Sequence, residues 1–179
     1  MFISNVLDLT FHKIKSNLAN ILTLTNVALG SCSIIFSVKG ELLLALIFIF
    51  VAALADRYDG MVARKLNIES EFGRQLDSLC DLLSFGVAPA ILLYQLVIVE
   101  FNAAGIIVIV LYISAGAYRL ARFNVSEQNG FFQGLPITAA GCLLTISYFF
   151  YAFVSPAFYM FLIIVLSICM VSTFSLRKV

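Results

Sequence analysis

Long apolar runs separated by short polar stretches are the dominant pattern of the chain. After a mixed N-terminal segment, six such runs follow one another, and each can form a transmembrane helix of about 20 residues. The predicted spans cover approximately residues 19–38, 41–66, 72–99, 103–124, 135–154 and 157–175. Pro89 interrupts the third run and predicts a kink there. The pattern therefore predicts an all-α, polytopic membrane protein.

Residues 2–16 have a different, amphipathic pattern. Apolar residues fall on one side of a helix and polar residues on the other, with Phe2, Val6, Leu7, Phe11 and Ile14 opposite Asp8, His12, Lys13 and Lys15. A helix of this kind lies in the membrane interface with its apolar face toward the lipid. We expect an N-terminal interfacial helix before the first span.

The composition limits the classes of protein to consider. Of the 179 residues, 62% are hydrophobic and only 12% are charged, a balance that soluble domains do not reach. Six spans with short loops account for the length, so we expect one membrane-embedded domain covering residues 1–179. The net charge of +1 is uninformative about nucleic acid, but no basic tail suggests such a partner, and we expect none.

The basic residues predict the orientation in the membrane. With a cytoplasmic N-terminus, all but one of them lie on the inner side: Lys13, Lys15, Arg57, Arg64, Lys65, Arg74, Arg119, Arg122, Arg177 and Lys178, leaving Lys39 outside. Cytoplasmic loops carry the excess of lysine and arginine in membrane proteins. We therefore expect a multi-pass protein of the cell membrane with both termini in the cytoplasm.

Four aspartates stand at the adjoining ends of the second and third spans. An ionised residue at membrane depth costs roughly 2.5–3.5 kcal/mol even on insertion scales, so these residues need a compensating role. Helical spacing places them in two stripes, with Asp56, Asp59, Gly60, Ala63 and Arg64 in the first and Gly73, Asp77 and Asp81 in the second. Facing stripes bring the carboxylates together, and two divalent cations would neutralise them. Hard oxygen ligands favour Mg²⁺, Mn²⁺ or Ca²⁺.

Other polar residues are expected at the same membrane depth. Asn20, Thr23 and Asn26 begin the first span at near-helical spacing, and Arg119 and Arg122 end the fourth. Their convergence with the aspartates indicates a site at the cytoplasmic face. Two alternatives remain at this point: arginines and carboxylates neutralise one another without metal, and the hydroxyl groups bond back to their own helix.

A metal-binding carboxylate cluster beside arginines fits phosphoryl chemistry. Metal ions bridge phosphate oxygens, guanidinium groups bind phosphate or carboxylate, and a carboxylate can accept the proton of an attacking hydroxyl. Placement near the interface implies one lipid substrate and one water-soluble substrate. The alternative from another class is a small cation transporter. Against it, the acids are grouped at one end of the spans, and we find no inverted repeat.

The acidic residues also carry a family resemblance. Asp56-Arg-Tyr-Asp59-Gly60-Met-Val-Ala63-Arg64, eight residues, Gly73, three residues, Asp77, three residues and Asp81 resemble the signature of the CDP-alcohol phosphatidyltransferases. The resemblance implies transfer of a phosphatidyl group from CDP-diacylglycerol to a small alcohol, with release of CMP. It also implies a homodimer in the lipid bilayer.

The resemblance implies a role for each matching residue. Asp56, Asp59, Asp77 and Asp81 would hold two divalent ions, Mg²⁺ or Mn²⁺, with Asp81 also acting as the catalytic proton acceptor. The residues implied to contact the CDP-lipid are Asn20, Thr23, Asp56, Gly60, Ala63, Arg64, Ser70 and Gly73. Asn20 and Thr23 match the polar positions of the family's first-helix pattern, although Ala19 stands where proline is usual.

The acceptor alcohol is inferred from the sequence around the signature. The segments DSLCDLLSFGVAP, YRLARFN and GLPIT resemble the phosphatidylserine synthase branch of this family. The glycerophosphate-using branch tends to have proline and lysine where this chain has Ser78 and Leu82. L-serine brings a carboxylate, for which Arg119 and Arg122 are suitable partners. Glycerol 3-phosphate, inositol phosphate and other alcohols are the alternative acceptors.

Overall fold

The computed structural model describes residues 21–66, 71–126, 131–172 and 175–177. Its helices are α1 (Ile21–Val38), α2 (Leu42–Leu66), α3 (Glu71–Asp81), α4 (Ala88–Leu96), α5 (Asn102–Ser126), α6 (Ile137–Ser147) and α7 (Pro156–Val171). A π-helix, Leu82–Val87, joins α3 to α4, and 3-10 turns cover Ile98–Phe101 and Tyr148–Phe150. The expected interfacial helix at residues 2–16 lies outside the described residues.

Three of the described helical stretches are long and apolar enough to cross a membrane: Ile21–Val38, Glu71–Leu96 and Ile98–Val125. Two apolar helices are shorter, Ile137–Phe150 and Pro156–Val171. The 25 residues of α2 are apolar until Asp56 begins its charged end. Many large apolar side chains are exposed on the outer faces, among them Ile107, Val110 and Phe161. These are the features of an integral membrane protein.

Most predicted span limits lie within a few residues of the described helices, but the last two spans end earlier than expected. The fifth was expected to reach residue 154, whereas its closing 3-10 turn ends at Phe150. The sixth span was expected to reach residue 175, but α7 ends at Val171 and Ser175 begins a short strand. That strand, β2 (Ser175–Arg177), pairs antiparallel with β1 (Phe131–Gln133). Apart from this short strand pair the described elements are helical, as predicted. Gly134, directly after β1, has a φ of 74°. The next residue contacts α7, because the amide of Leu135 bonds to the Cys169 carbonyl at 3.0 Å.

The turn between α1 and α2 explains how the first two helices reverse direction. Gly40 has a φ of 81°, a conformation that glycine adopts without steric cost. The amide of Glu41 bonds to the Phe36 carbonyl at 2.9 Å, and the amide of Gly40 bonds to the Ser37 carbonyl at 3.0 Å. This pair of bonds is a Schellman motif, which satisfies the last carbonyls of α1 and sends the chain back as α2.

The helices pack around two apolar clusters. The larger one joins α4, α5, α6 and α7, and its fully buried members include Tyr112, Ile137, Leu144 and Ile163. The smaller one joins α2 to α4 through Ala45, Leu46, Ile49, Ala88 and Leu92. On α2, the buried positions Ala45, Ile49 and Ala52 follow helical spacing and lead to Asp56. The core-facing stripe of α2 therefore ends in a carboxylate.

The π-helix replaces the kink predicted at Pro89. The amide of Ala88 bonds to the Leu83 carbonyl, five residues back, which is the π-type spacing. Pro89 itself stands in the first turn of α4, where a missing N–H is tolerated. The irregularity of this span thus begins directly after Asp81 and ends before the proline.

Candidate functional site

Helices α2 and α3 bring three of the four predicted metal ligands together. One carboxylate oxygen from each of Asp56, Asp77 and Asp81 lies within 4.8 Å of the other two, and all three side chains are partly buried. The carboxyl groups of Asp56 and Asp81 are within hydrogen-bond distance of each other. Asp77 and Asp81 are one turn apart on α3 and so share a face. We call Asp56, Asp77 and Asp81 the carboxylate cluster.

The charge balance of the carboxylate cluster favours a bound cation. Arg119 of α5 is buried, with 6% of its surface exposed, and interacts electrostatically with Asp81. Carboxylates this close disfavour one another's ionised form unless cations lie among them. Oδ1 of Asp81 is buried and has no hydrogen-bond partner within the part of the chain that the structure describes. A hard divalent cation fits this set of oxygen ligands.

The two arginines at the end of α5 point to different neighbours. Arg122 donates to the carbonyl of Val171 at 2.9 Å and to that of Ser172 at 3.1 Å. These bonds satisfy carbonyls at the C-terminus of α7, where a cation is also favoured by the helix dipole. Arg119 is instead buried and interacts electrostatically with Asp81. Both were predicted to bind serine, and the structure brings Arg119 to the aspartates while Arg122 contacts α7.

A polar bridge between α3 and α5 was not anticipated from the sequence. The amide nitrogen of Asn124 donates to Gln75 Oε1 at 3.1 Å and lies 3.1 Å from Ser78 Oγ. Ser78 in turn donates to Asn124 Oδ1 at 3.2 Å. Gln75 and Ser78 flank Asp77 on α3, so the bridge fixes the helix that carries two of the aspartates. The available signal was Asn124, a polar residue just after Arg119 and Arg122 at the end of the fourth run.

The polar residues of α1 face the interior of the helix bundle. Thr23 is 5% exposed and Asn26 is 1% exposed. Ser84 of the π-helix donates to the Asn26 carbonyl at 3.1 Å, which ties α1 to the segment after Asp81. The hydroxyl group of Thr25, by contrast, bonds back to the Ile21 carbonyl at 2.9 Å. Asn20, the third polar position predicted for the site, lies outside the described residues.

The remaining predicted site residues are described to different extents. Gly60 and Gly73 are partly buried, in α2 and α3 respectively. Asp59, Ala63 and Arg64 lie in α2, but their side chains are outside the described part of the structure. Ser70 is also outside it. The roles assigned to these residues stay predictions.

Comparison with known proteins gives one matching family model and several relatives. The family described as CDP-alcohol phosphatidyltransferase matches residues 16–174. An archaetidylserine synthase of Methanothermobacter thermautotrophicus is 40% identical over 168 residues, which cover 90% of this chain and 70% of that protein.

Two further relatives carry the name CDP-diacylglycerol–serine O-phosphatidyltransferase. The one from Bacillus subtilis is 42% identical over 106 residues, 58% of this chain and 60% of that protein. The one from Helicobacter pylori is 37% identical over 130 residues, 71% of this chain and 55% of that protein. The chain therefore matches little more than half the length of these two relatives.

Proposed function

This chain belongs to the CDP-alcohol phosphatidyltransferase family, and we propose that it transfers a phosphatidyl group from CDP-diacylglycerol to the hydroxyl group of L-serine. The products are phosphatidylserine and CMP, in phospholipid biosynthesis. The observation that carries this proposal is the convergence of Asp56, Asp77 and Asp81 within 4.8 Å of one another. The names of the relatives support serine as the acceptor.

The proposed cofactor is a pair of divalent ions, Mg²⁺ or Mn²⁺, held by the carboxylate cluster together with Asp59. Asp59 follows Asp56 by three residues on α2, a spacing that places both on one helix face. Bound divalent ions would polarise the diphosphate oxygens and stabilise the charge of the departing CMP. The unpartnered Oδ1 of Asp81 supports a ligand at this point of the described structure.

Asp81 is the proposed proton acceptor. Its carboxylate takes the proton of the serine hydroxyl group as that oxygen attacks the phosphorus on the lipid side of the diphosphate. The new P–O bond joins serine to the phosphatidyl group, and the broken P–O bond releases CMP. The two serines that follow Asp77 and Asp81 most closely in the sequence have engaged hydroxyl groups, since Ser78 donates to Asn124 and Ser84 to the Asn26 carbonyl. These bonds favour direct attack by the substrate over a covalent enzyme intermediate.

The CDP-lipid is proposed to lie across α1, α2 and α3. Gly60 and Gly73 lack side chains, which lets a diphosphate approach the backbone of α2 and α3. The other proposed contacts are Asn20, Thr23, Asp56, Ala63, Arg64 and Ser70. The burial of Thr23, at 5% exposure, supports an inward-facing position for the first-helix residues.

The serine carboxylate is proposed to bind arginine. Arg119 has the stronger support because it is buried beside Asp81, where the acceptor hydroxyl group must arrive. Arg122 is the second proposed contact. To bind serine, its guanidinium would have to exchange its bonds to the carbonyls of Val171 and Ser172. The tests below therefore treat the two arginines separately.

The proposed setting is the cell membrane, with both termini and the site on the cytoplasmic side. The chain forms a single membrane-embedded domain of six transmembrane helices preceded by an interfacial helix, and it assembles as a homodimer. The described helices and the distribution of basic residues support this topology. Placement at the cytoplasmic face gives the site access to both serine and membrane lipid.

An acceptor screen tests the proposed function. Purified protein in detergent receives CDP-diacylglycerol, Mn²⁺ or Mg²⁺, and isotope-labelled serine, glycerol 3-phosphate or inositol phosphate in separate reactions. We expect CMP release and a labelled lipid with serine, and loss of both when the metal is chelated. Turnover with glycerol 3-phosphate and none with serine would show that serine is not the acceptor. Repeating the serine reaction with a CDP-linked archaetidyl lipid compares the two lipid groups that the relatives' names contain.

A further inference from the structure

Pro89 leaves one carbonyl of the helix backbone without its ordinary donor. In an α-helix the carbonyl of Phe85 would accept from the amide four residues later, but that residue is Pro89, which has no N–H. An unpaired carbonyl in an apolar interior is costly. The hydroxyl group of Tyr112 supplies the missing donor, at 3.2 Å from the Phe85 oxygen. Tyr112 belongs to α5 and is 0% exposed.

Three neighbouring helices hold the π-helix Leu82–Val87. The Tyr112 bond connects it to α5, and the bond from Ser84 to the Asn26 carbonyl connects it to α1. Against α6 the contact is close packing, because a Cβ added at Gly141 would lie 2.5 Å from the Phe85 oxygen. The wide turn is therefore fixed from outside by specific contacts.

The location of the π-helix gives it consequences for the site. It starts at the residue after Asp81. One extra residue in a turn rotates the following residues by about 100° relative to an uninterrupted α-helix. Beyond it, Ala88 and Leu92 pack against α2, which also supplies Asp56. The π-helix thus sets the angle between the carboxylate face of α3 and the packed face of α4.

We propose that the π-helix Leu82–Val87, held by the bond from the Tyr112 hydroxyl group to the Phe85 carbonyl, orients Asp81 toward Asp56 and the substrates. Tyr112 is then a positioning residue for the reaction, acting through the backbone and touching no substrate. This inference rests on the proposed transferase function. Neither Tyr112 nor the π-helix is part of the predicted site, and the sequence alone gives no sign of their connection.

The chain offers a matched control for testing Tyr112. Tyr159 of α7 is also 0% exposed, and its hydroxyl group donates to a backbone carbonyl on another helix, that of Ser147, at 2.9 Å. Tyr112→Phe and Tyr159→Phe therefore remove the same atom and the same kind of bond. Only the first bond lies on the segment that follows Asp81. A purely structural role predicts equal effects of the two substitutions.

The experiment measures catalysis and metal binding in both variants. We expect Tyr112→Phe to lower kcat and Mn²⁺ affinity by about tenfold each, with the KM for serine within about twofold, because displacement of a supported ligand affects chemistry and metal more than substrate binding. Tyr159→Phe should leave kcat and Mn²⁺ affinity within about twofold of wild type. Mn²⁺ affinity, measured by electron paramagnetic resonance, does not depend on turnover.

The outcomes separate failure of this inference from failure of the proposed function. Equal changes in the two variants, or no change in Tyr112→Phe, would overturn the positioning role. Weakened Mn²⁺ binding in Tyr112→Phe alone supports it, even if the acceptor screen identifies another alcohol. Should Tyr112→Phe not fold, Ser84→Ala removes the contact to α1. It should weaken Mn²⁺ binding relative to Tyr159→Phe, and unchanged binding would refute the proposal.

Discussion

Two regions of the helix bundle, α6 with α7 and the surroundings of the carboxylate cluster, differ in how their buried polar groups are satisfied. In the described residues of α6 and α7, no buried side-chain nitrogen or oxygen lacks a hydrogen-bond partner. Thr145, Ser147, Tyr159 and Ser167 each donate to a backbone carbonyl. Around the carboxylate cluster, by contrast, buried atoms of Asn26, Asp81 and Arg119 have no partner among the described residues. The buried polar atoms of the first region are satisfied within the protein, whereas the second region has buried polar atoms available for ligands.

The difference separates the region that stabilises the fold from the region whose polar groups serve binding and catalysis. Unsatisfied buried polar groups cost about 1–3 kcal/mol each, and the region around Asp81 contains several. Van der Waals packing of α4 to α7 around residues such as Leu144 and Ile163 offsets such costs. We therefore expect substitutions near the carboxylate cluster to act mainly on activity, and substitutions in the α6–α7 region to act mainly on stability.

Asp81→Asn should have the largest effect and so test the comparison most severely. Removal of the proposed proton acceptor is expected to lower the rate of CMP release by about 10²–10⁴-fold. The helical content, measured by circular dichroism, should not change, because the amide has nearly the same shape as the carboxyl group. Rates within a few-fold of wild type would remove Asp81 as the base.

Ile163→Ala tests the other region. This side chain is 0% exposed in the larger apolar cluster, and its truncation should cost about 2–5 kcal/mol of stability through lost contacts and a cavity. We expect a lower Tm in detergent, with the KM for serine unchanged at a temperature where the variant is folded. A variant that keeps its Tm but changes its KM would break the proposed division between the two regions.

Arg119→Ala tests which of the two arginines binds the serine carboxylate. Loss of a charge-assisted bond is worth about 1.5–3 kcal/mol, so the KM for serine should rise by about tenfold or more, with a smaller change in the KM for the CDP-lipid. Arg122→Ala is the control at the same helix end. Because its bonds go to the end of α7, it should lower the Tm and change the KM for serine less. A larger KM effect at Arg122 would reverse the two roles.

The sequence is sufficient to predict the carboxylate cluster. Asp56, Asp77 and Asp81 follow helical spacing at the adjoining ends of two apolar runs, and that local pattern already implies that they meet. The limits of α2 and α5 were likewise within a few residues of the observed ones. Both results depend only on periodicity and on the position of charges, which are properties of a short stretch of chain.

The features that were missed depend on contacts between distant residues. The π-helix is bonded to Tyr112, 27 residues from Phe85, whose hydroxyl group supplies the donor that Pro89 lacks. The β1–β2 pair joins segments on either side of α6 and α7. Arg119 and Arg122, three residues apart, looked equivalent in the sequence. Their directions around the helix axis differ by about 60°, and Arg119 interacts with Asp81 of α3 whereas Arg122 bonds to the end of α7. Helical spacing alone does not reveal which neighbour each face meets.

Direct Mn²⁺ binding is the most immediate test of the carboxylate cluster as a metal site. Electron paramagnetic resonance titration of the purified wild-type chain, with CDP-diacylglycerol present, should detect two bound ions per chain. Asp77→Asn, which changes one oxygen of the cluster and none of the apolar core, should lose at least one of them. Equal Mn²⁺ binding by the wild type and Asp77→Asn, or no binding by either, would contradict the account.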